Sequence, residues 1–335
     1  MAINPPYLFV GGFPRSGTSL LSSLLGNVSG VAVVQDLCLF YYLKQAALRC
    51  MGIANGMNDQ EASNWALWNH HQFDLRQTEF IHDFLDNSPL DNLNAPAALR
   101  GKILRKHVAL MDHFLFVDLN ISDPRKDRGQ GSSYLRNLKL SQILDCGTMV
   151  DAYASFLRAS AEMLSVNTGS PIKLVCDKTP ENVNTSDLMD LCFRDDGYRF
   201  LLIVRDPVGV FGARRQRTNQ SPDAFAEFFK VRAEPLFNMT SCVASAVVRY
   251  EDLLKEPESQ LSRVFDELNI PDIAENMYFS SGINPGKYAK YVGLRINPGR
   301  DVSNRSKVSE SEQKIIYEVL GEYSEKFHYG PYSVS

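Results

Sequence analysis

The chain has 335 residues, of which 44% are hydrophobic and 22% are charged, so it has enough apolar sequence to bury a large core. Its formal net charge is −4 at pH 7. Nucleic acids and anionic membrane surfaces usually bind to a basic face, so this charge argues against both as partners. An anionic ligand must therefore be bound by a local group of cations.

Neither a signal peptide nor a membrane span is predicted. The N-terminal segment MAINPPYLFV has no basic region and only a short apolar run, and no stretch has the length of a bilayer-spanning helix. The six cysteines form no CxxC pair and lie mostly in apolar runs, which predicts reduced, buried thiols and no metal site. These features predict a cytoplasmic protein.

An anion-binding loop is predicted near the N-terminus. The apolar run YLFVGG predicts a strand over 7–12, and TSLLSSLLG predicts a helix over 18–26. Unpaired N–H groups at the start of a helix, together with its dipole, attract anions. The intervening loop adds one cation, hydroxyl donors and a glycine that lets the backbone approach a ligand; these residues are Arg15, Ser16, Gly17, Thr18 and Ser19.

The spacing of Gly12 and Gly17 imitates a Walker A loop. However, Thr18 stands where that loop has its phosphate-binding Lys, so the nucleoside triphosphatase interpretation lacks its cation. Arg15 is the candidate to supply the positive charge instead.

The remaining elements alternate between strands and helices. Further strands are predicted over 31–34, 172–176, 199–204 and 245–249, and helices over 184–193, 206–217, 222–232, 257–268 and 310–327. Segments 36–54, 60–86, 97–117 and 139–166 predict a mostly helical insertion over 36–170. This order predicts a single α/β domain over 1–335, with an open, P-loop-like parallel sheet flanked by helices.

Three segments occur in the order and spacing of the signatures of one enzyme family. FPRSGTS, RFLLIVRDP and VVRYEDLL resemble, respectively, the 5'-phosphosulfate loop, the second signature and the Tyr-Glu-Asp segment of sulfotransferases that use 3'-phosphoadenosine 5'-phosphosulfate (PAPS). The pattern is nearest the protein-tyrosine and bacterial branch. The resemblance covers 7–36, 172–268 and, loosely, 299–332, but not the insertion.

The resemblance implies roles for several residues. Residues 15–19 would hold the 5'-phosphosulfate, Arg205 the 3'-phosphate, and Tyr250 would lie near the adenine of PAPS or of its product, 3',5'-adenosine bisphosphate (PAP). Arg15 would also stabilise the leaving phosphate, because a guanidinium group keeps its proton. Lys178, in the segment DKTPEN, either contacts the sulfonate or 5'-phosphate or is a strand-end residue paired with Asp177 or Glu181.

The contacts to the 3'-phosphate depart from the family pattern. GRDVSNRSKVSESE (299–312) replaces the family's basic, Gly-rich segment and offers donors for the cofactor from Arg300, Ser303, Arg305, Ser306 and Lys307; the alternative is a solvated loop capped by Ser309. Ala213 stands where the family usually has a Ser that meets the 3'-phosphate. Arg214, Arg217 or the N–H of Gly212 are the candidates to replace it.

Two residues are candidates for the general base. Asp36 follows the second strand at the position where protein-tyrosine sulfotransferases place a catalytic carboxylate, usually Glu; the alternative is a helix N-cap. Cytosolic small-molecule sulfotransferases use His instead, and His107 in LRKHVALMDHF is the corresponding candidate. The alternative is that His107 is an ordinary, partly buried residue of a helix.

The sequence thus predicts an enzyme that moves the sulfonate of PAPS to a hydroxyl of a small-molecule acceptor, bound by the insertion, through in-line displacement. Three alternatives stay open. These are transfer to an amine or guanidine-like acceptor, a P-loop kinase of small molecules that needs a magnesium-binding carboxylate, and a non-catalytic nucleotide-binding module, which Ala213 suggests.

Overall fold

The fold is built around a parallel sheet. A computed structural model describes residues 7–26, 28, 30–35, 39–69, 157, 172–193, 197–215, 218–242, 244–270 and 299–330. Its five strands are β1 (Tyr7–Gly12), β2 (Val31–Gln35), β3 (Leu174–Lys178), β4 (Tyr198–Val204) and β5 (Ser245–Arg249), in the order β2-β3-β1-β4-β5. Because all the pairings are parallel, the segments that follow the strands meet at one edge, with the end of β1 at its centre.

The described helices are α1 (Thr18–Leu25), α2 (Leu39–Ala54), α3 (Asp59–Asn69), α4 (Ser186–Phe193), α5 (Pro207–Arg214), α6 (Pro222–Cys242), α7 (Tyr250–Lys255), α8 (Pro257–Glu267), α9 (Gly299–Arg305), α10 (Glu310–Val319) and α11 (Gly321–Lys326), with a 3-10 turn at Pro180–Asn184. None of them combines the length and the apolar composition needed to cross a bilayer.

Each face of the sheet carries its own core. Side chains of β4 alternate between the two, since Phe200 and Leu202 belong to the first core whereas Leu201 and Ile203 belong to the second. Helices α4, α5, α6, α10 and α11 contribute to the first core, and α1, α7 and α8 to the second. Helices on both faces explain why the strands are nearly continuous apolar runs in the sequence.

The predicted strands are confirmed, with one shift. β3 spans 174–178 instead of 172–176, so Asp177 and Lys178 lie within the strand and not after it. Lys178 is in register with Val10 of β1 and Gln35 of β2. The strand extends into charged residues because both neighbouring strands supply backbone hydrogen-bond partners, which the local apolar pattern does not reveal.

The helix predictions need three corrections. α6 continues to Cys242 through Pro235 instead of ending at residue 232. The predicted helix over 310–327 is two helices, because the backbone leaves the helical region at Leu320, before Gly321. The sequence predicts no helix over 250–255 or over 299–305, yet these residues form α7 and α9.

The helical insertion is described only in part. Helices α2 and α3 confirm helical structure over 39–54 and 59–69. The rest of the predicted helices of the insertion lie outside the described residues. They are most of segment 60–86, all of 97–117, and all of 139–166 except residue 157.

Candidate functional site

The loop between β1 and α1 lies at the centre of the sheet's carboxyl edge. The N–H of Ser16 donates to the carbonyl oxygen of Phe13 at 2.9 Å and closes a tight turn. Arg15, with φ 80°, exposes its side chain, and Gly17, the N-cap of α1, has φ 105°. The first N–H groups of α1 have no acceptor within the helix, so the positive end of the helix dipole faces this loop.

Ser16 carries an unsatisfied hydroxyl inside the loop. Its side chain is fully buried, and its Oγ has no hydrogen-bond partner among the residues that the structure describes. An unsatisfied buried polar group costs about 1–3 kcal/mol, which a bound ligand recovers. Thr18 is buried next to it, and Ser19 is partly exposed. The loop therefore offers donors to a ligand that carries hydrogen-bond acceptors.

Two glycines allow the loop to approach its surroundings closely. A Cβ on Gly17 would lie 2.3 Å from Cδ2 of Tyr250, and a Cβ on Gly12 would lie 2.5 Å from the carbonyl oxygen of Ile203. Both distances are too short for a carbon atom. Because glycine has no side chain, these two positions allow the loop to pack directly against β4 and the start of α7.

Arg205, at the end of β4, connects the loop to α7 and α9. Its Nη1 donates to the carbonyl oxygen of Arg15 at 2.9 Å, and its guanidinium carbon lies 4.3 Å from the centroid of the Tyr250 ring. Its Nε and Nη2 both donate to Oδ1 of Asp301, at 3.0 and 2.6 Å. Arg205 is only 3% exposed, so the Asp301 carboxylate is needed to balance its charge.

A second ion pair fixes α9 beside Arg205. Asp206 caps α5 by accepting a backbone N–H of its first turn at 2.8 Å, and it also accepts from the hydroxyl of Tyr317 at 2.9 Å and from Arg305. Burial raises the pKa of the Asp206 carboxyl, whereas the charge of Arg305 opposes that rise. Together with the pair between Arg205 and Asp301, this contact holds α9 against the end of β4.

The close contact between α5 and α9 depends on a glycine. A Cβ on Gly212 would lie 2.0 Å from the carbonyl oxygen of Asn304. This packing and the two ion pairs explain why a polar segment that lacks an apolar helical pattern forms a helix here.

Glu251 is a buried carboxylate that joins the ends of β4 and β5. Its Oε1 accepts the N–H of Asp206 at 3.0 Å, and its Oε2 accepts the hydroxyl of Tyr329 at 2.9 Å. Burial raises the pKa of Glu251 to about 6, although the hydrogen bond from Asp206 acts in the opposite direction. Glu251 follows Tyr250 directly, so these hydrogen bonds anchor the first turn of α7, which carries that ring.

Lys178 lies at the same edge of the sheet and is 1% exposed. Its neighbour Asp177 accepts hydrogen bonds from Oγ1 of Thr179 and Nδ2 of Asn182, each at 3.3 Å. The end of β3 is therefore a buried polar cluster beside the loop. Contact between Lys178 and a ligand stays a prediction.

The predicted residues of segment 299–312 differ in their surroundings. Ser306 and Lys307 are exposed and bind α9 itself, with Ser306 Oγ donating to a backbone carbonyl and Lys307 Nζ to Oδ1 of Asn304, both at 3.2 Å. Arg300 belongs to α9. Ser309 is the N-cap of α10 and forms a capping box with Glu312, as the helix-start pattern predicts. The cofactor contacts of Arg300, Ser306 and Lys307 stay predictions.

Both candidate bases, Asp36 and His107, lie outside the described residues. Ala213 lies within α5 and has no polar side-chain atom with which to bind a phosphate. The described residues thus bring together the loop, Arg205 and Tyr250. Because they include neither Asp36 nor His107, the identity of the general base stays a prediction from the sequence.

Sequence reasoning missed Asp301 and Glu251 as partners of the site. No local pattern distinguishes Asp301 from the other polar residues of its segment. A signal did exist for Asp206, because Asp followed by Pro at a strand end is typical of an N-cap with Pro in the first helical turn.

Comparisons with known proteins point to one family. A family model described as "Sulfotransferase family" matches residues 6–275. The chain is also similar to the sulfotransferase domain from the Synechococcus PCC 7002 olefin synthase, with 19% identity, a TM-score of 0.48, and 98% of this chain and 95% of that one covered. For the sulfotransferase domain from the curacin biosynthetic pathway the identity is 15%, the TM-score 0.44, and the coverage 97% and 98%. No curated protein matches the chain.

Proposed function

Because the chain belongs to the sulfotransferase family, we propose that it transfers the sulfonate group of PAPS to a hydroxyl of a small-molecule acceptor. The cofactor would bind at the carboxyl edge of the sheet. The observation that supports this most is the contact between loop 13–17, with its unpartnered Ser16 hydroxyl, and the buried cation Arg205.

The described residues suit a nucleotide with two separate phosphate groups. The Ser16 hydroxyl and the first N–H groups of α1 are donors for one of them. Arg205 supplies a cation for the other, because each of its Nη nitrogens carries a second N–H beyond those that bind Arg15 and Asp301. The missing hydroxyl at Ala213 makes Arg205 the main candidate for this contact.

When bound, PAPS supplies an activated sulfonate and a nucleotide leaving group. The protein must stabilise negative charge on the leaving side and remove a proton from the acceptor. Arg15 suits the first role, since its guanidinium stays protonated and its side chain is exposed at the loop. Lys178 is the candidate for a second cation, and Asp36 or His107 the candidate for the base.

A cytoplasmic location is part of the proposal. Cys176, at the centre of β3, is buried as a free thiol, and burial raises its pKa. Such a thiol is unreactive, which suits a reducing compartment.

Calorimetric titration of PAP in the presence of a chelator tests the cofactor site. Wild-type protein should bind PAP without a divalent metal. Arg205→Lys keeps a positive charge beside Asp301 but loses the planar fork, so PAP affinity should fall about tenfold or more. The exposed variant Lys314→Gln is the control and should bind like wild type.

Arg15→Ala tests the catalytic half. Its turnover with PAPS and a panel of acceptors should fall far more than its PAP affinity, because the cation is needed most when charge develops on the leaving group. PAP binding that appears only with magnesium would instead favour a kinase, and unchanged PAP affinity in Arg205→Lys would show that the guanidinium fork of Arg205 does not hold the nucleotide.

A further inference from the structure

Two arginines share an aromatic ring beside the loop that follows β1. The guanidinium carbons of Arg214, at the end of α5, and Arg232, in α6, each lie 5.0 Å from the centroid of Phe228. The Arg214 guanidinium also lies 5.7 Å from the ring of Phe13, a loop residue. Phe13 belongs to the first core, whereas Tyr250 belongs to the second, so these cations lie on the other side of the loop from Tyr250.

Within the described part of the chain, no ion pair balances the positive charge of these two arginines. Among the residues that the structure describes, no ion pair joins Arg214 or Arg232 to a carboxylate. In the described part of the chain, Nε of Arg214 is buried without a hydrogen-bond partner, and its Nη2 makes a long contact of 3.4 Å with Gln220. Burial lowers the pKa of Arg214, and the charges of Arg15 and Arg232 lower it further. A bound anion would offset the cost of burying this positive charge and would accept hydrogen bonds from the guanidinium groups.

Arg232 also lines a narrow cleft whose other walls are loop residues and the 3-10 turn after β3; they are Gly12, Phe13, Pro14, Pro180, Glu181, Val183 and Asn184. Its volume, about 10 Å³, admits one water-sized group. Oδ1 of Asn184 is buried and finds no hydrogen-bond partner among the described residues, so it can accept a hydrogen bond from a hydroxyl. Glu181 also lines the cleft, and the two charges of Arg214 and Arg232 outnumber this one carboxylate.

On the basis of the proposed function, we propose that the two arginines beside this cleft bind the acceptor, whose hydroxyl enters the cleft, and that the acceptor is a hydroxy compound that also carries an anionic group. The anion binds Arg214 and Arg232. A carboxylate and a phosphate share the required chemistry, since both accept hydrogen bonds from a guanidinium fork. The site thus selects acceptors by charge, on the side of the loop away from Tyr250.

The test uses three phenols that differ in charge. They are 4-hydroxyphenylacetate, 4-hydroxybenzylphosphonate and the neutral methyl ester of the first. Dissociation constants for each are measured by ligand-observed NMR on the PAP-saturated protein at constant ionic strength. At least one anionic phenol should bind about tenfold or more tightly than the ester, and the stronger of the two identifies the anion.

Arg232→Gln removes one charge and should abolish most of this preference. Lys230→Gln is the matched control, because Lys230 is an exposed cation two residues away on the same helix and does not line the cleft; it should keep the preference. Urea unfolding midpoints verify that both variants are folded. Arg214→Gln, which should also lose the preference, is the second variant in case Arg232→Gln is unstable.

Equal binding of the ester and both anions, or an unchanged preference in Arg232→Gln and Arg214→Gln, overturns the proposal. It is also overturned if Arg232→Gln weakens PAP binding as much as phenol binding, because the arginines would then belong to the nucleotide site. The proposed function fails in a different way: anion-selective binding would persist while PAPS is not converted to PAP with any acceptor tested.

Discussion

Glu251→Gln is expected to stabilise the protein at pH 8 and to have almost no such effect at pH 4. Burial raises the pKa of Glu251 from 4.5 to about 6. At about 1.4 kcal/mol per pKa unit, ionising this carboxyl in the folded protein costs about 2 kcal/mol more than in the unfolded chain.

The sign follows from proton binding. Between pH 4.5 and about 6 the folded state binds the proton more strongly than the unfolded state. The contribution of Glu251 to stability is therefore complete below pH 4.5 and is lost as the pH rises through 6. Gln is neutral throughout, so it avoids the loss. Its oxygen can still accept the N–H of Asp206, and its amide can donate to the oxygen of Tyr329.

Urea unfolding of wild type and Glu251→Gln at pH 4, 6 and 8 measures the effect. The variant should gain up to about 2 kcal/mol in unfolding free energy, relative to wild type, between pH 4 and pH 8. Glu234→Gln, which removes a charge from an exposed position of α6, is the control. A difference between Glu251→Gln and wild type that is the same at all three pH values would refute the reasoning.

Gly17→Ala should lower the unfolding free energy by about 1–3 kcal/mol or more and weaken PAP binding, because it forces a Cβ to φ 105° and to within 2.3 Å of Tyr250. The matched control is Gly56→Ala, at φ 91° with no atom within 4 Å of the added carbon, which should carry only the backbone cost and leave PAP affinity unchanged in calorimetry. Asp36→Asn should keep PAP binding but lose about two to four powers of ten in turnover if Asp36 is the base, since Asn caps helices about as well as Asp. Nearly normal turnover in that variant, with loss in a folded His107→Ala, would assign the base to His107.

Local patterns in the sequence were sufficient for much of the sheet and for one part of the site. The apolar runs of β1 and β4 predicted strands, because a strand buried on both faces has few polar positions. The loop over 13–17 was predicted from its glycine and hydroxyl residues between a strand and a helix. Ser309 was predicted as a cap, and it is the N-cap of α10, where it forms a capping box with Glu312 three residues further on.

The extent of β3 and the existence of α9 depended on distant parts of the chain. Lys178 belongs to a strand because β1 and β2 lie on either side of it. Residues 299–305 are helical because they pack against α5 and form ion pairs with the end of β4. Neither effect has a signal in the local periodicity, since helix formation in proteins depends mainly on tertiary packing.

The sequence by itself determined which residues can bind an anion, since a helix N-terminus, hydroxyls and arginines have that property wherever they lie. Only the tertiary structure decided how their charges are balanced. Asp301 neutralises Arg205 from 96 positions away in the chain, whereas Arg214 and Arg232 share the Phe228 ring without a carboxylate partner among the described residues. The physical reason is that electrostatic energy depends on distances in space and on burial, and neither follows from position along the chain.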